Sequence, residues 1–174
     1  MDSVIGGVSF FAARYGFLCD NVLNYELVLP YGKIINANKT SYSDLFRSLK
    51  GGSNNFGVVT RFDIKTFKQG KFWGGAVAYD ISSREQHFRA FETLATAKPY
   101  DPYAALINNY GYEAAAGGWF IANDYEYTKQ PAEPYPATFA PFTSIKPELQ
   151  NTMRVSNMSD FAIELGQASP QGQR

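Results

Sequence analysis

Two glycine clusters are the segments of this sequence whose residue types could do chemistry. The first is Gly6, Gly7, Val8 and Ser9, and the second runs from residue 51 to residue 57. Glycine permits a positive φ and lets a ligand approach backbone N–H and C=O groups, which is how many phosphate and cofactor sites are built. Each cluster is therefore a candidate cofactor contact.

The second cluster lacks the side chains of the common phosphate-binding loops. Gly52 and Gly57 have the glycine spacing of a Walker A loop, but Val58 and Val59 follow where Lys and Ser or Thr would stand. A Rossmann fingerprint opens a helix, whereas this cluster closes a predicted helix and opens a predicted strand. The backbone preferences of glycine alone favour a helix end followed by a turn for residues 51–57. A backbone contact to a cofactor is the alternative.

Other residues with reactive side chains fit ordinary structural roles. Cys19 is the only cysteine, which excludes an intramolecular disulfide, and it is predicted to be a buried apolar side chain. His87 is the only histidine and is predicted to lie on the solvated flank of a helix. The tyrosines of residues 104–127 are predicted to pack at sheet spacing. No residue is assigned a catalytic or metal-binding role.

The glycine clusters are held by a predicted hairpin, helix and strand. Residues 21–29 alternate, followed by a Pro-Gly turn, which predicts a β-hairpin whose first strand shares one apolar face formed by Leu23, Tyr25, Leu27 and Leu29. A short helix follows, with Ser41 as the predicted N-cap and Lys50 and Gly51 as stop signals. Residues 58–66 then alternate as a half-buried strand, with one face formed by Val58, Thr60, Phe62, Ile64 and Thr66.

The remaining sequence predicts a second, different set of elements. A strand at 75–81 precedes a helix with a Ser82 and Glu85 capping box and an apolar stripe of Phe88, Phe91 and Ala95. Residues 104–113 and 118–128 predict an antiparallel strand pair, and a proline-rich crossing loop follows. A last helix is predicted from Ser156 as its cap to Gly166. Strands and helices are interspersed, so the fold class is α+β, with a boundary after Gly70.

Composition excludes several classes of partner. The 174 residues carry 16 basic and 16 acidic side chains with no basic cluster, which argues against nucleic-acid binding. The sequence has no apolar run of membrane-spanning length and no recognisable signal peptide. Composition assigns neither a compartment nor an oligomeric state.

An ordered set of motifs resembles one flavoprotein family. "GGVS", "YGF" before "DN", "VLPYGKI", "DLFRSLKGG" and "NNFGVVTRF" resemble the second part of the FAD-binding domain of PCMH-type (vanillyl-alcohol-oxidase-like) flavoproteins, especially the fungal berberine-bridge-enzyme-like oxidoreductases. "FWGGAVAYD", "PFTSI" and "NMSDFAIEL" resemble the start of that family's substrate domain. The resemblance therefore predicts residues 1–70 as the later part of an FAD-binding domain and residues 71–174 as an incomplete antiparallel-sheet substrate domain.

The resemblance also implies a cofactor and its contacts. FAD would be held in an extended pose by residues that match two family segments, Gly6, Gly7, Val8 and Ser9, and Asn55, Phe56, Gly57, Val58 and Val59. The first segment matches one that lies along the flavin and its phosphates, and the second matches a strand start whose backbone approaches the cofactor. The family's pyrophosphate loop and flavin-linking histidine are expected upstream of "GGVS", and its substrate-side base is expected downstream of residue 174.

Three functions follow as expectations. The first is part of an FAD-dependent oxidoreductase that transfers a hydride from a small alcohol, sugar or alkaloid-like substrate to flavin, with oxygen as acceptor. The second is a non-catalytic truncated remnant with little or no cofactor binding, so whether this chain alone is an enzyme stays open. The third is a tyrosine-rich binding module, which does not account for the order of the motifs. Members of the family are often secreted, and this sequence carries no signal for it.

Overall fold

The chain forms two compact units. The computed structural model describes residues 6–114 and 117–168, and the chain divides into Met1–Lys68 and Gln69–Arg174. The sequence places the boundary after Gly70, whereas the two units divide after Lys68. The assignment of the units to an FAD-binding part and a substrate-binding part stays a prediction.

The first unit contains a three-stranded antiparallel sheet and short helices. Along the chain its elements are α1 (Ala12–Tyr15), a 3-10 turn (Leu18–Asn21), β1 (Val22–Val28), β2 (Ile34–Asn38), α2 (Ser43–Leu49) and β3 (Val58–Ile64). The strand order is β2-β1-β3, so the predicted hairpin and the strand after the glycine cluster pair on either side of β1. The buried core of this unit consists of Val22, Tyr25, Leu27, Ile35, Ala37, Phe46 and Leu49.

Two β-bulges change which side chains of the first unit face the core. The ladder between β1 and β3 shifts register between Val22 and Asn24, and Leu23 is 54% exposed while Val22 is buried. A second register shift lies between Glu26 and Leu27. It brings both Val59 and Phe62 against the core. The predicted faces of both strands are therefore wrong in part, because an extra residue on one strand reverses its alternation.

Helix α2 begins differently from the prediction and ends as predicted. Its N-cap is Tyr42 in the left-handed region at φ 48°, without a side-chain cap. The predicted cap at Ser41 is wrong because that residue belongs to the preceding turn, where Asn38 Oδ1 accepts the Ser41 N–H at 2.9 Å. The helix ends before Lys50, and Gly51 follows at φ 84°.

The second unit contains a larger antiparallel sheet with helices on it. Its elements are β4 (Phe72–Asp80), a 3-10 turn (Ile81–Ser83), α3 (Arg84–Thr96), β5 (Ala104–Glu113), β6 (Gly118–Tyr127), a 3-10 turn (Ala137–Phe139), α4 (Ala140–Thr143), β7 (Glu148–Asn151), β8 (Arg154–Ser156) and α5 (Met158–Ala168). The strand order is β5-β6-β4-β7, and β8 also pairs with β4. The predicted strand pair and the α+β class are confirmed.

Helix α3 presents a different face to the core from the one predicted. His87 and Ala90 are buried, whereas Phe88 and Phe91 are 52% and 45% exposed. The buried positions precede the predicted stripe by one residue, which is a rotation of about 100° around the helix. The solvated role predicted for His87 is therefore wrong: its ring packs edge-on against Tyr79 with centroids 4.5 Å apart.

Helix α5 packs on the sheet through one aromatic contact. Phe161 is buried, and its ring lies 4.7 Å from that of Phe72 on β4. The predicted cap at Ser156 is wrong, because Asn157 Oδ1 accepts the Asp160 N–H at 3.1 Å and the helix starts at the following residue. The helix also continues past Gly166, its predicted end, because an open helical position tolerates glycine at a cost of about 1 kcal/mol.

Candidate functional site

An open groove of about 810 Å³ lies in the first unit, between the hairpin and the start of β3. The residues that line it are Val28, Leu29, Pro30, Ser53, Asn54, Asn55, Gly57, Val58, Val59 and Phe62. Four of the nine predicted cofactor residues therefore lie together in one groove. The volume is in the range of small-molecule and cofactor sites.

Gly57 sets the position of one wall of the groove. Its φ is 144°, and a Cβ at this position would lie 2.5 Å from the carbonyl oxygen of Val28. Only glycine lets β3 start this close to β1, so the fold requires glycine at position 57 whether or not a ligand binds. The same close approach places Val58 beside Val28 across the ladder.

The groove joins an apolar wall to a polar rim. Val58 is 68% exposed and pairs with Val28, which forms an apolar surface open to solvent. Ser53 and Asn54 supply polar side chains at the rim, and the Asn55 side chain donates to the Gly52 carbonyl at 2.8 Å. The lining contains no ionisable side chain. Such a surface suits a neutral, partly apolar group and offers no cation to a phosphate.

Phe56 does not line this groove. It is partly buried against the core of the first unit, and a Cβ on Gly52 would lie 2.6 Å from its Cε2 atom. Gly52 thus makes room for the Phe56 ring, which is why the glycine cluster can fold into a tight turn. A cofactor contact by Phe56 stays a prediction, and the structure gives its ring a packing role.

The other predicted segment forms a turn held by the first 3-10 element. Gly6 and Gly7 have φ of 125° and 69°. Their carbonyl oxygens accept the N–H groups of Cys19 and Leu18 at 3.0 Å and 2.8 Å. Ser9 Oγ accepts the Phe11 N–H at 3.3 Å.

These hydrogen bonds hold the turn in place, and the side chain of one predicted cofactor residue is exposed to solvent. Val8 is 80% exposed. Gly6 has open space where a Cβ would lie. Cys19 is buried, which confirms the packing role predicted for it. The groove is not lined by Gly6, Gly7, Val8 or Ser9, and the cofactor contact of these four residues also stays a prediction.

Sequence reasoning missed the hairpin side of the groove. Residues 28–30 lie directly opposite the glycine cluster because β1 and β3 are neighbours in the sheet. The one sequence feature that could have indicated it was the "VLPYGKI" turn, because the strand before this turn needs a neighbouring strand in the sheet. Pairing of β1 with β3, rather than with β2 alone, is a long-range contact that no local pattern reveals.

The tyrosines of the second unit form a buried hydrogen-bonded row. Tyr79 and Tyr125 hydroxyls lie 3.1 Å apart, and Asn123 donates to the Tyr125 hydroxyl at 2.6 Å. Burial is the main reason that the pKa values of both phenols are raised, so they serve as hydrogen-bond donors rather than bases. The packing role predicted for tyrosines in this strand pair is confirmed for Tyr125 and Tyr127, which are both buried.

The described residues contain neither a metal-binding cluster nor a membrane-spanning helix. Within residues 6–114 and 117–168, no three His, Cys, Asp or Glu side chains are arranged to hold a metal ion. In the same ranges, no helix combines the length and the apolar character that a membrane span requires.

Curated proteins similar to this chain come from fungi. The chain is 48% identical over 167 residues to the FAD-dependent monooxygenase elcE of Phaeosphaeria nodorum, covering 91% of this chain and 50% of that protein. It is 48% identical over 165 residues to an FAD-dependent monooxygenase of Cercospora beticola, of which it covers 31%. The chain therefore spans half or less of the length of these relatives. No protein-family model matches the chain.

Two solved structures with a similar fold are named as oxidases. The 6-hydroxy-D-nicotine oxidase of Arthrobacter nicotinovorans matches with a TM-score of 0.78 at 17% identity, over 98% of this chain and 37% of that one. The carbohydrate oxidase of Microdochium nivale matches with a TM-score of 0.64 at 26% identity, over 90% of this chain and 33% of that one. The chain therefore has the fold of the PCMH-type, vanillyl-alcohol-oxidase-like flavoproteins that its motifs resemble, and the relatives that it matches in sequence are named FAD-dependent monooxygenases.

Proposed function

We propose that this chain forms part of the FAD site of an FAD-dependent oxidoreductase that acts on a small organic substrate. The observation that carries the proposal is the coincidence of two independent facts. The chain is 48% identical to a relative named as FAD-dependent, and four residues that match the family's cofactor segment line one open groove.

The two predicted segments have different roles in this proposal. The groove holds a neutral part of FAD, because its wall is apolar and its rim carries uncharged polar groups at Ser53 and Asn54. Val58 and Val28 contact the flat face of that group, and Gly57 allows the strand backbone to come close. The Gly6 to Ser9 turn lies along the flavin and its phosphates, as in the family it resembles.

The chemistry is the cofactor's, and the protein contributes binding and orientation. When bound, FAD accepts a hydride from a carbon that bears oxygen or nitrogen, and oxygen takes the electrons. The groove residues hold the cofactor in one orientation, and their apolar side chains exclude water from its face. We propose that the substrate is a small alcohol, sugar or alkaloid-like molecule. The match to a carbohydrate oxidase supports a sugar among these.

The names of the relatives suggest two fates for oxygen. The curated relatives are named monooxygenases, whereas the solved structures are named oxidases. An oxidase releases both oxygen atoms as hydrogen peroxide, and a monooxygenase places one oxygen atom in the product. Turnover of the FAD-loaded protein under ¹⁸O₂ distinguishes them: we expect peroxide and no label in the product, and labelled product would replace our oxidase proposal with a monooxygenase.

The first test is flavin binding by this chain. The purified chain is passed through gel filtration with and without added FAD, and its visible absorption is recorded. We expect a flavin band that stays with the protein. Val58→Arg should abolish the band, because the long cation fills the groove. Leu23→Arg is the matched control, since Leu23 is an exposed strand residue of the same unit outside the groove.

The alternative function is a non-catalytic remnant, and the same experiment addresses it. A folded chain that stays colourless at high FAD would favour the remnant over the enzyme. A band that survives in both variants would place FAD elsewhere on the chain and overturn our assignment of the groove.

A further inference from the structure

Glu126 on β6 is a buried carboxyl group with an unpaired oxygen. The residue is 2% exposed, and its Oε2 atom has no hydrogen-bond partner among the described residues. A buried carboxylate without a partner is very costly, so such a group usually keeps its proton. This side chain lies on the sheet face that α5 covers and belongs neither to the groove nor to the tyrosine row.

Glycine and helix α5 shape a small cavity around this carboxyl group. Gly74 lies directly across the ladder from Glu126, and a Cβ there would lie 3.5 Å from Glu126 Cγ and 3.4 Å from the Phe161 ring. The cavity measures about 10 Å³ and is lined by Gly75, Ala76, Asp124, Glu126, Phe161, Glu164 and Leu165. That volume is close to the room that one water molecule needs.

Negative groups surround the cavity from two elements. Asp124 follows the same face of β6, and Glu164 comes from α5. Arg154 on β8 is the positive group of this cluster, and it donates to Glu164 at 2.5 Å. Glu164 also accepts from the Thr152 hydroxyl at 2.5 Å. Both oxygens of Glu164 therefore accept hydrogen bonds from these donors, whereas Glu126 Oε2 accepts none from the described residues.

We propose that Glu126, Asp124 and Glu164 form a binding site for one proton and one water molecule, and that the bound proton holds helix α5 on the sheet. With the proton on Glu126, the carboxylates of Asp124 and Glu164 remain, Arg154 pairs with Glu164, and the water completes the hydrogen bonds of Glu126 Oε2. Without the proton, three carboxylates face each other across the cavity. Repulsion then separates Glu164, and with it α5, from β6. The inference does not depend on the proposed FAD site.

The direction of the pH dependence follows from the environment of Glu126. Burial, and then the charges of Asp124 and Glu164, raise its pKa from 4.5 to about 8. In an undocked state the group is exposed and loses its proton near its ordinary value. Undocking of α5 is therefore least favourable at acidic pH, becomes more favourable as pH rises from about 4.5, and levels off above about 8.

Hydrogen exchange of the α5 backbone amides measures the undocking directly. The full chain is exchanged at several pH values between 5 and 9, and the rates are corrected for the intrinsic pH dependence of exchange. We expect the protection of α5 to fall by about tenfold per pH unit up to pH about 8, with strand β6 much less affected. Glu126→Gln, which is neutral at every pH, should make the α5 protection independent of pH. Glu92→Gln on the exposed side of α3 is the matched control and should behave as the wild type.

Two further measurements keep the proposal testable if Glu126→Gln does not fold. Asp124→Asn removes one neighbouring charge and keeps Glu126, so the pH at which the protection of α5 levels off should be lower than in the wild type. Infrared spectra of the wild type at neutral pH should contain the carbonyl band of a protonated carboxylic acid, which disappears above pH about 9. An unchanged levelling-off pH in Asp124→Asn, no protonated band, or the same pH profile in Glu126→Gln and the wild type would each overturn the proposal.

Discussion

Substitution of Gly57 by alanine tests whether the close approach of β3 to β1 holds the first unit together. Gly57 has φ 144°, which L-residues rarely adopt, and an added Cβ would lie 2.5 Å from the Val28 carbonyl oxygen and 3.3 Å from Leu27 Cδ1. The strained backbone costs about 1–3 kcal/mol. The overlap with a backbone atom, which cannot rotate away, costs about 1–3 kcal/mol more. We expect a loss of roughly 2–6 kcal/mol in the free energy of unfolding, which is a large part of the stability of a small domain.

Urea unfolding followed by far-UV circular dichroism measures this loss. Both tryptophans, Trp73 and Trp119, lie in the second unit, so tryptophan fluorescence reports mainly on that unit. We expect Gly57→Ala to shift the circular dichroism transition and to leave the fluorescence transition less affected. Gly70→Ala is the matched control, because no atom lies within 4 Å of a Cβ at that position. Equal stability of the two variants would refute the role given to Gly57.

Two further predictions concern the core of the second unit. Burial lowers the pKa of His87 below 6.5, so the folded state keeps a neutral ring while the unfolded state takes up a proton. The free energy of unfolding should therefore fall as pH drops below about 6.5, and His87→Gln, measured by thermal melts at pH 5 and 7, should lose that part of the fall. A wild-type slope retained in the variant would contradict this. Tyr79→Phe removes one hydroxyl bond of 3.1 Å to Tyr125 and should cost about 1 kcal/mol in urea unfolding, whereas Tyr31→Phe, 75% exposed, should cost nothing measurable. A cost near zero for both would contradict the buried bond.

Element types were predictable from the sequence because local patterns determine them. The hairpin around "PYGK" and the strand pair of residues 104–127 formed where alternation and turn residues predicted them. The faces of the strands were not predictable. At Leu23 and opposite Leu27 a bulge reverses the alternation, and a bulge arises from pairing with a distant strand. The same limit applies to α3, where the sheet beneath the helix buries a histidine and leaves two phenylalanines partly exposed.

The candidate groove was predictable only in part, for a related reason. Family motifs and glycine spacing pointed to Asn55, Gly57, Val58 and Val59, which do line it. Val28 and Phe62 could not be assigned to it, because one depends on which strand pairs with β1 and the other on the bulge in β3. Glu126 was also unpredictable: an alternating strand gives no sign that its one acidic side chain across from Gly74 is covered by a helix from later in the chain.

The contact of Gly6 with Cys19 gives the chain an internal reporter of motion. Cys19 is the single cysteine, it is buried, and its N–H is bonded to the Gly6 carbonyl at 3.0 Å. Because the side chain is buried, a thiol reagent reaches its sulfur only when the structure around it opens. The rate of native-state labelling therefore reports local opening around Cys19, to which the Gly6 turn is hydrogen-bonded, without any added probe. A ligand that binds this segment would slow the labelling in proportion to its occupancy.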